Sequence, residues 1–460
     1  MHQNPTHMMK KLLLVISVSY ACITNAQVNP QRAQSLQKSL DSVSAIYNIK
    51  GVTAAVLIPG EGIWEGTYGI SKPGEPVTKN MAFGMGSNTK TYVAALLLKL
   101  QQAGKLSLND TIGKWIQGYP NIPGNVTIKQ CINHTSGIAE YLSAAVNDSL
   151  LENPPKIWTF QEMLSTVKEP NFAPGTSWSY SNTGYIIAGI IIETVTGKTY
   201  QQAMHEWILD SAGYDHTFFY GEPNSAPLPS QWTMNLTGTN LVEMNSYPVN
   251  IIPQLFSLAS TAGGLMCTAS DNVRFWFDLV KGNLLDRSLF KEMIQVVPVS
   301  SGTSYGLGLF RLNRRINNRT VYSHGGTFLG FINENVIDTF SGAVVSVLTN
   351  QDSISNSRIL SSVIPALHRH TLNLQYLSVA QPKLHQSIKV YPNPANHYLA
   401  IDEHSKLSEI KLMDLTGRVR LETVAQPQIN TAELPDGMYI LWATDKYGEN
   451  RYYQRILIQH

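Results

Sequence analysis

Three cysteines in 460 residues leave little cysteine chemistry to consider. Cys22, Cys131 and Cys267 form no cysteine–histidine cluster of zinc-site spacing, so no metal or other cofactor is expected. Charge of one sign is equally scarce: Lys+Arg 34 against Asp+Glu 32 leave +2. A nucleic acid or an anionic membrane needs a strong basic field, so neither is an expected partner. Long apolar runs are missing as well. The N-terminal run Leu12 to Val18 falls well short of the roughly 20 residues that cross a bilayer, so no transmembrane span is expected.

That short run has another reading. Lys10 and Lys11 precede it and Thr24-Asn25-Ala26 follows with small or short residues, the pattern of an export signal over residues 1–26. Ser19-Tyr20-Ala21 before Cys22 makes a poor lipidation site, so plain cleavage after Ala26 is expected. Cleavage leaves Cys131 and Cys267, either paired as a disulfide or buried as free thiols.

Hydrophobic content of 43% and charged content of 14% fit a folded soluble protein, and the length asks for more than one domain. Gly51 to Leu57 and Ile63 to Ile70 are β-rich runs split by Pro59-Gly60-Glu61-Gly62, a predicted hairpin. From Ser87 the period becomes helical: Val93, Leu96, Leu97 and Leu100 share one face, and Gly104 ends it. Helical and loop-rich sequence runs to about Asp286, and Arg319 to Asn350 returns to strands with a turn at Thr339 to Gly342. Strands first and last with helices between predict an α+β domain: an antiparallel sheet flanked by helices, with a helical subdomain. The expected layout is a hydrolase domain over 27–375, a linker over 376–386 around Gln381-Pro382, and a small all-β sandwich over 387–460.

Chemistry concentrates at three places. Ser87-Asn88-Thr89-Lys90 follows the turn Gly84-Met85-Gly86 and opens the apolar helix. A serine at a helix start has a free backbone N–H for an oxyanion, and i, i+3 spacing brings Lys90 to its hydroxyl. A lysine in a dry cleft sheds its proton and serves as a base. The plain alternative is that Ser87 caps the helix and Lys90 is solvated. The second place, Tyr180-Ser181-Asn182, precedes another apolar helix and offers a phenol for proton relay and an amide for gripping a carbonyl. The third, His324-Gly325-Gly326-Thr327, ends a β-run; His324 is expected to face the cleft as a donor, with the Thr327 N–H as second oxyanion donor beside that of Ser87. An ordinary Gly-Gly bulge is the alternative there.

In this order the three motifs resemble the serine β-lactamase-related family, which includes class C β-lactamases, D-alanyl-D-alanine carboxypeptidases, D-aminopeptidases and esterases. Asn133-His134-Thr135-Ser136-Gly137 and Ser260-Thr261-Ala262-Gly263-Gly264-Leu265 are similar to further recurrent stretches of it. The resemblance implies a β-lactamase/transpeptidase-like fold and an acyl-enzyme mechanism. Ser87 attacks, Lys90 and Tyr180 manage the proton, Asn182, His324, Gly325 and Gly326 bind substrate, and the Ser87 and Thr327 N–H groups hold the oxyanion. Where class C β-lactamases have Lys-Thr-Gly, this chain has His324-Gly325-Gly326. That departure points away from penicillins and toward an ester or a D-amino-acid or peptidoglycan-like peptide. It also makes His324 the expected source of a charge for carboxylate-bearing substrates as pH falls toward 6. A β-lactamase, or a protein that acylates without turnover, shares all three motifs. The pocket loops that set specificity are expected within 147–156 and 214–247.

Beyond the linker, Val390-Tyr391-Pro392-Asn393-Pro394, Leu415-Thr416-Gly417-Arg418 and Leu434-Pro435-Asp436-Gly437-Met438-Tyr439 resemble the type A C-terminal sorting domain of type IX secretion. This implies the type IX machinery as a partner, beside a small-molecule or peptide substrate. It also implies passage through the inner and then the outer membrane to the cell surface or medium.

Overall fold

The computed structural model describes residues 28–142, 156–223, 226–234, 240–246, 250–372, 389–402, 404–414, 419–445 and 451–460. The export signal, the linker, residues 147–155 and parts of 214–247 among the pocket loops, and the tail segment 415–418 lie outside them. The chain divides into two compact units, residues 1–373 and 374–460.

In the first unit, helix α1 (Pro30–Ile46) starts at Asn29, whose Oδ1 accepts from the N–H groups of Gln31 and Arg32. Strands β1 (Gly51–Ile58) and β2 (Gly62–Lys72) form the expected hairpin. They join β3 (Glu75–Pro76), β4 (Val297–Ser300), β5 (Thr303–Tyr305), β6 (Phe310–Ile316), β7 (Arg319–Phe328), β8 (Phe331–Ile337) and β9 (Val344–Thr349). The nine strands make one antiparallel sheet in the order β3-β2-β1-β9-β8-β7-β6-β5-β4. The first and last strands of this sheet in chain order therefore meet mid-sheet, where Val52 pairs with Thr349 and Leu57 with Val344. Both edge strands carry a proline, Pro76 and Pro298, which blunts pairing with another chain. Strands β4 to β6 leave little trace in the sequence pattern because they are short and partly exposed. Strand β6 also loses register between Leu312 and Ile316, near Arg314 at φ +50°.

Beside shorter helices and two small sheets, this unit has four further long helices: α2 (Thr89–Gln102), α3 (Thr183–Thr196), α4 (Ile252–Gly263) and α5 (Ala269–Lys281). Helix α5 packs on β1 and β9, and α2 packs against α3 and α4. Ala55, Leu57 and Leu348 of the sheet share one apolar core with Phe275 and Trp276 of α5 and with α2. Nearly all of α2 is buried, Thr89 to Leu98 and Leu100, so whatever its first turn carries is held rigidly. Among the described residues, no helix is long and apolar enough to cross a membrane. Cys131 and Cys267 are buried free thiols.

The second unit is all β. Strands β10 (Val390–Tyr391), β11 (Tyr398–Ile401), β12 (Leu407–Asp414), β13 (Val419–Val424), β14 (Gln428–Asn430), β15 (Gly437–Asp445) and β16 (Arg451–Ile458) form two sheets. Their orders are β10-β11-β14 and β13-β12-β15-β16. Leu399, Ile410, Leu412, Leu441, Ile456 and Ile458 fill the core. The fold is thus α+β followed by a small all-β region, as the pattern predicts.

Candidate active site

Ser87 is positioned by a glycine. Gly86 has φ +47°, and a Cβ there would stand 2.8–3.0 Å from the Thr327 backbone. Only glycine allows the turn to lie that close against β7. A 3₁₀ turn, Gly86–Asn88, then runs into α2, and no side chain caps either. Ser87 is therefore not a helix cap. Its Oγ instead accepts from Lys90 Nζ at 3.0 Å.

Lys90 is fully buried and its other two protons are also placed, on Asn182 Oδ1 at 2.7 Å and the Ala262 carbonyl at 2.7 Å. Ala262 lies in the last turn of α4, where carbonyls lack helical partners. Ser260 just before it sits outside helical geometry at φ 41° and ψ −128°. Burial lowers the Lys90 ammonium to about 7, with the Glu140 carboxylate pulling the other way. At that value a large fraction of Lys90 is neutral at pH 7 and holds a lone pair beside Ser87.

Tyr180 is held over the same point. Lys90 Nζ lies 5.0 Å from its ring centroid and 5.3 Å from that of Tyr185. Burial pushes the phenol well above its usual range, while the neighbouring Ser87 hydroxyl draws it down. Its Oη is sealed from solvent and, among the described residues, has no partner at good hydrogen-bond geometry. The loop bearing it is braced by His134. The Ser179 N–H donates to the His134 carbonyl at 3.0 Å, the Ser181 N–H donates to His134 Nδ1 at 3.2 Å, and the His134 and Tyr180 rings pack at 4.2 Å between centroids with a tilt of 34°. Since Nδ1 accepts, Nε2 carries the proton, and burial keeps the imidazole neutral.

Asn182 is fixed from the other side. Its backbone N–H and Nδ2 both donate to Glu140 Oε2, at 2.6 and 3.0 Å, which orients Oδ1 toward Lys90. Glu140 and His134 escape a reading by motif. His134 belongs to a stretch whose role no spacing reveals, and Glu140 lies outside any pattern.

The third motif corrects several expectations. His324 does not offer a donor to the cleft. It is 2% exposed, Nδ1 donates to the Gly325 carbonyl at 2.7 Å, and Nε2 accepts from Tyr305 Oη at 3.0 Å. Burial and the nearby Lys90 lower it to about 3, so it stays neutral at pH 6 and supplies no charge to a carboxylate. Its ring, 6.4 Å from that of Tyr180, forms part of the site wall. Gly325 and Gly326 each leave room that neighbouring protein atoms take up. A Cβ at Gly326 would stand 1.8 Å from the Met85 carbonyl, and one at Gly325 2.1 Å from Glu334 Oε1. No bulge occurs here: Gly325 pairs with Glu334 and Gly326 with Asn333 in unbroken register. The Thr327 backbone lies against Gly86, and its hydroxyl donates to Asn356 Oδ1.

Comparison with known proteins agrees with this fold. The Beta-lactamase family matches residues 36–360, and the Secretion system C-terminal sorting domain matches residues 389–459. A protein named penicillin-binding protein PbpX in Bacillus subtilis (strain 168) is 26% identical over 316 residues, 68% of this chain and 72% of that protein. A D-stereospecific amidohydrolase from Streptomyces sp. superposes with a TM-score of 0.63 at 27% identity, covering 72% of this chain and 98% of the other. The D-amino acid amidase from Ochrobactrum anthropi SV3 does so with a TM-score of 0.58 at 25% identity, covering 73% and 97%. The sorting domain implies secretion or a cell-surface location. With its fold, this chain belongs to the beta-lactamase family of serine hydrolases.

Proposed function

We propose that the enzyme hydrolyses a neutral amide or ester, of the D-amino-acid amide or short-peptide class, through an acyl-Ser87 intermediate. The carrying observation is Lys90: fully buried, lowered to about 7, and 3.0 Å from Ser87 Oγ. Ser87 Oγ attacks the carbonyl carbon as its proton passes to neutral Lys90. The oxyanion is held by the N–H groups of Ser87 and Thr327, the first at the positive end of α2. The proton then moves through Tyr180 to the leaving amine or alcohol, and the carbon–leaving-group bond breaks. Water, deprotonated by the same pair, attacks the acyl carbon and frees Ser87. Asn182 keeps one Nδ2 proton uncommitted for the acyl side of the substrate. The names of the two similar hydrolases support the D-configured class.

A second reading is an acylating sensor that does not turn over, favoured by the similarity to a penicillin-binding protein. Export by the type IX machinery, across the inner and then the outer membrane, is the role proposed for the tail. Intact-mass analysis after a fluorophosphonate, followed by a panel of p-nitrophenyl ester, D-amino-acid amide and penicillin, tests the two catalytic readings. Labelling at Ser87 with multiple turnover of ester or amide supports hydrolysis. Labelling with a single turnover supports the sensor, and no labelling of folded protein overturns both.

A further inference from the structure

Glu334 is a buried carboxyl that the mechanism above does not use. It stands on β8 directly across from Gly325, 6% exposed, with Oε2 unpartnered among the described residues. Its Oε1 lies 2.1 Å from where a Cβ on Gly325 would be, so the carboxyl fills the volume that a side chain at position 325 would occupy. Gly325 itself is partly exposed on the strand that walls the site, between His324 beside Tyr180 and Thr327 against Gly86. A substrate acylating Ser87 and lying along β7 passes this point.

We infer that Glu334, in its ionised form, is a specificity-determining residue that selects against substrates carrying an anionic group where they pass Gly325. This rests on the acyl-Ser87 reading and names the substrate class more narrowly. Among the described residues, the cleft offers no compensating cation here, because His324 is neutral and Lys90 is spent on Ser87, Asn182 and Ala262. Burial raises the Glu334 carboxyl to about 8, against hydrogen bonds from Asn356 and the Asn335 backbone. Among the described residues, charged and titratable groups on the elements packed against β8 are directed to other partners, His368 of the segment 364–368 to Asp338 and Arg274 of α5 to Asp271. Strand β7 presents Gly325, β9 presents Val347, the segment 359–363 holds no titratable side chain, and Arg358 is turned over the Tyr47 ring at 5.3 Å. Glu334 is thus largely neutral at pH 7 and an anion at pH 9, when its repulsion of another anion becomes full.

The experiment compares a D-amino-acid amide or neutral ester with its carboxylate-bearing analogue in the wild type and in Glu334→Gln, reading the ratio of kcat/KM from pH 7 to 9. Loss of charge on Lys90 affects the ratio in both proteins, so the difference in slope isolates Glu334. The wild-type ratio is expected to turn against the carboxylate by about tenfold more than that of the variant. Equal slopes overturn the inference while leaving the acyl-enzyme reading intact. Should Glu334→Gln fail to fold, Glu334→Met serves the same comparison. Wild type that hydrolyses neither substrate overturns the acyl-enzyme reading and this inference with it.

Discussion

The two units bury different things. Among the described residues, the C-terminal unit has a largely apolar core, with Leu399, Ile410, Leu441 and Ile458 beside Tyr439 and Thr431, and keeps ion pairs such as Lys411–Glu422 and Arg420–Asp414 partly exposed. The N-terminal unit buries Lys90, His134, His324 and Glu334 beside or near one serine, and each is pushed toward its neutral form by desolvation. Burying such groups is costly, and among the described residues of the tail no lysine, arginine, histidine or carboxylate is buried. Perturbed groups gathered around a nucleophile mark the place where chemistry is done. The tail's economy suits a module that has only to fold and be recognised.

The largest effect expected from breaking this contrast is at the nucleophile. Ser87→Ala should lower kcat/KM by roughly 10⁴ or more. It should leave the thermal midpoint nearly unchanged, since Ser87 caps no helix. Ester hydrolysis assays beside calorimetry check both halves, and a folded variant with near-normal activity contradicts the assignment.

Next come the proton handlers. Lys90→Ala and Tyr180→Phe should each slow acylation by roughly 10² to 10⁴. The double variant should fall far short of the product of the two losses, because both residues move one proton. Pre-steady-state acylation rates of the four proteins decide this, and fully multiplicative losses count against a shared role.

A smaller effect separates charge from shape at Glu140. Replacing it with Gln keeps an acceptor for Asn182 but removes the carboxylate that raises Lys90. The acid limb of the rate profile should move to lower pH, with the plateau rate changed by less than about tenfold. A limb that moves upward contradicts the electrostatic account.

The smallest effect is expected from the tail. An enzyme ending at Gln381 should hydrolyse esters at the full-length rate, because Ser87, Lys90, Tyr180 and Asn182 all lie in the first compact unit. A folded truncated enzyme without activity would show that the tail helps build the site.

Much of this was legible in the sequence, for physical reasons that differ by region. The hairpin β1–β2 and helix α2 follow from period and turn chemistry, and Ser87, Lys90, Tyr180 and Asn182 stand out because each begins or precedes an apolar helix. His324 misled because a histidine next to two glycines reads as exposed. Only the fold reveals that Tyr305 covers it and that the glycines admit Met85 and Glu334. Glu140, His134 and Glu334 were hidden for the same reason: their partners lie 42 to 47 residues away or across a strand pair, beyond any local period.

In the proposed mechanism a buried Lys90, neutral near physiological pH, activates Ser87. The pH dependence of kcat/KM for a neutral ester, which has no titratable group of its own, reads this directly. The rate should rise tenfold per pH unit below an apparent pKa of about 7 and level off above it. A profile that is flat from pH 5 to 8, or one that begins to rise only near the ordinary lysine value, would contradict it.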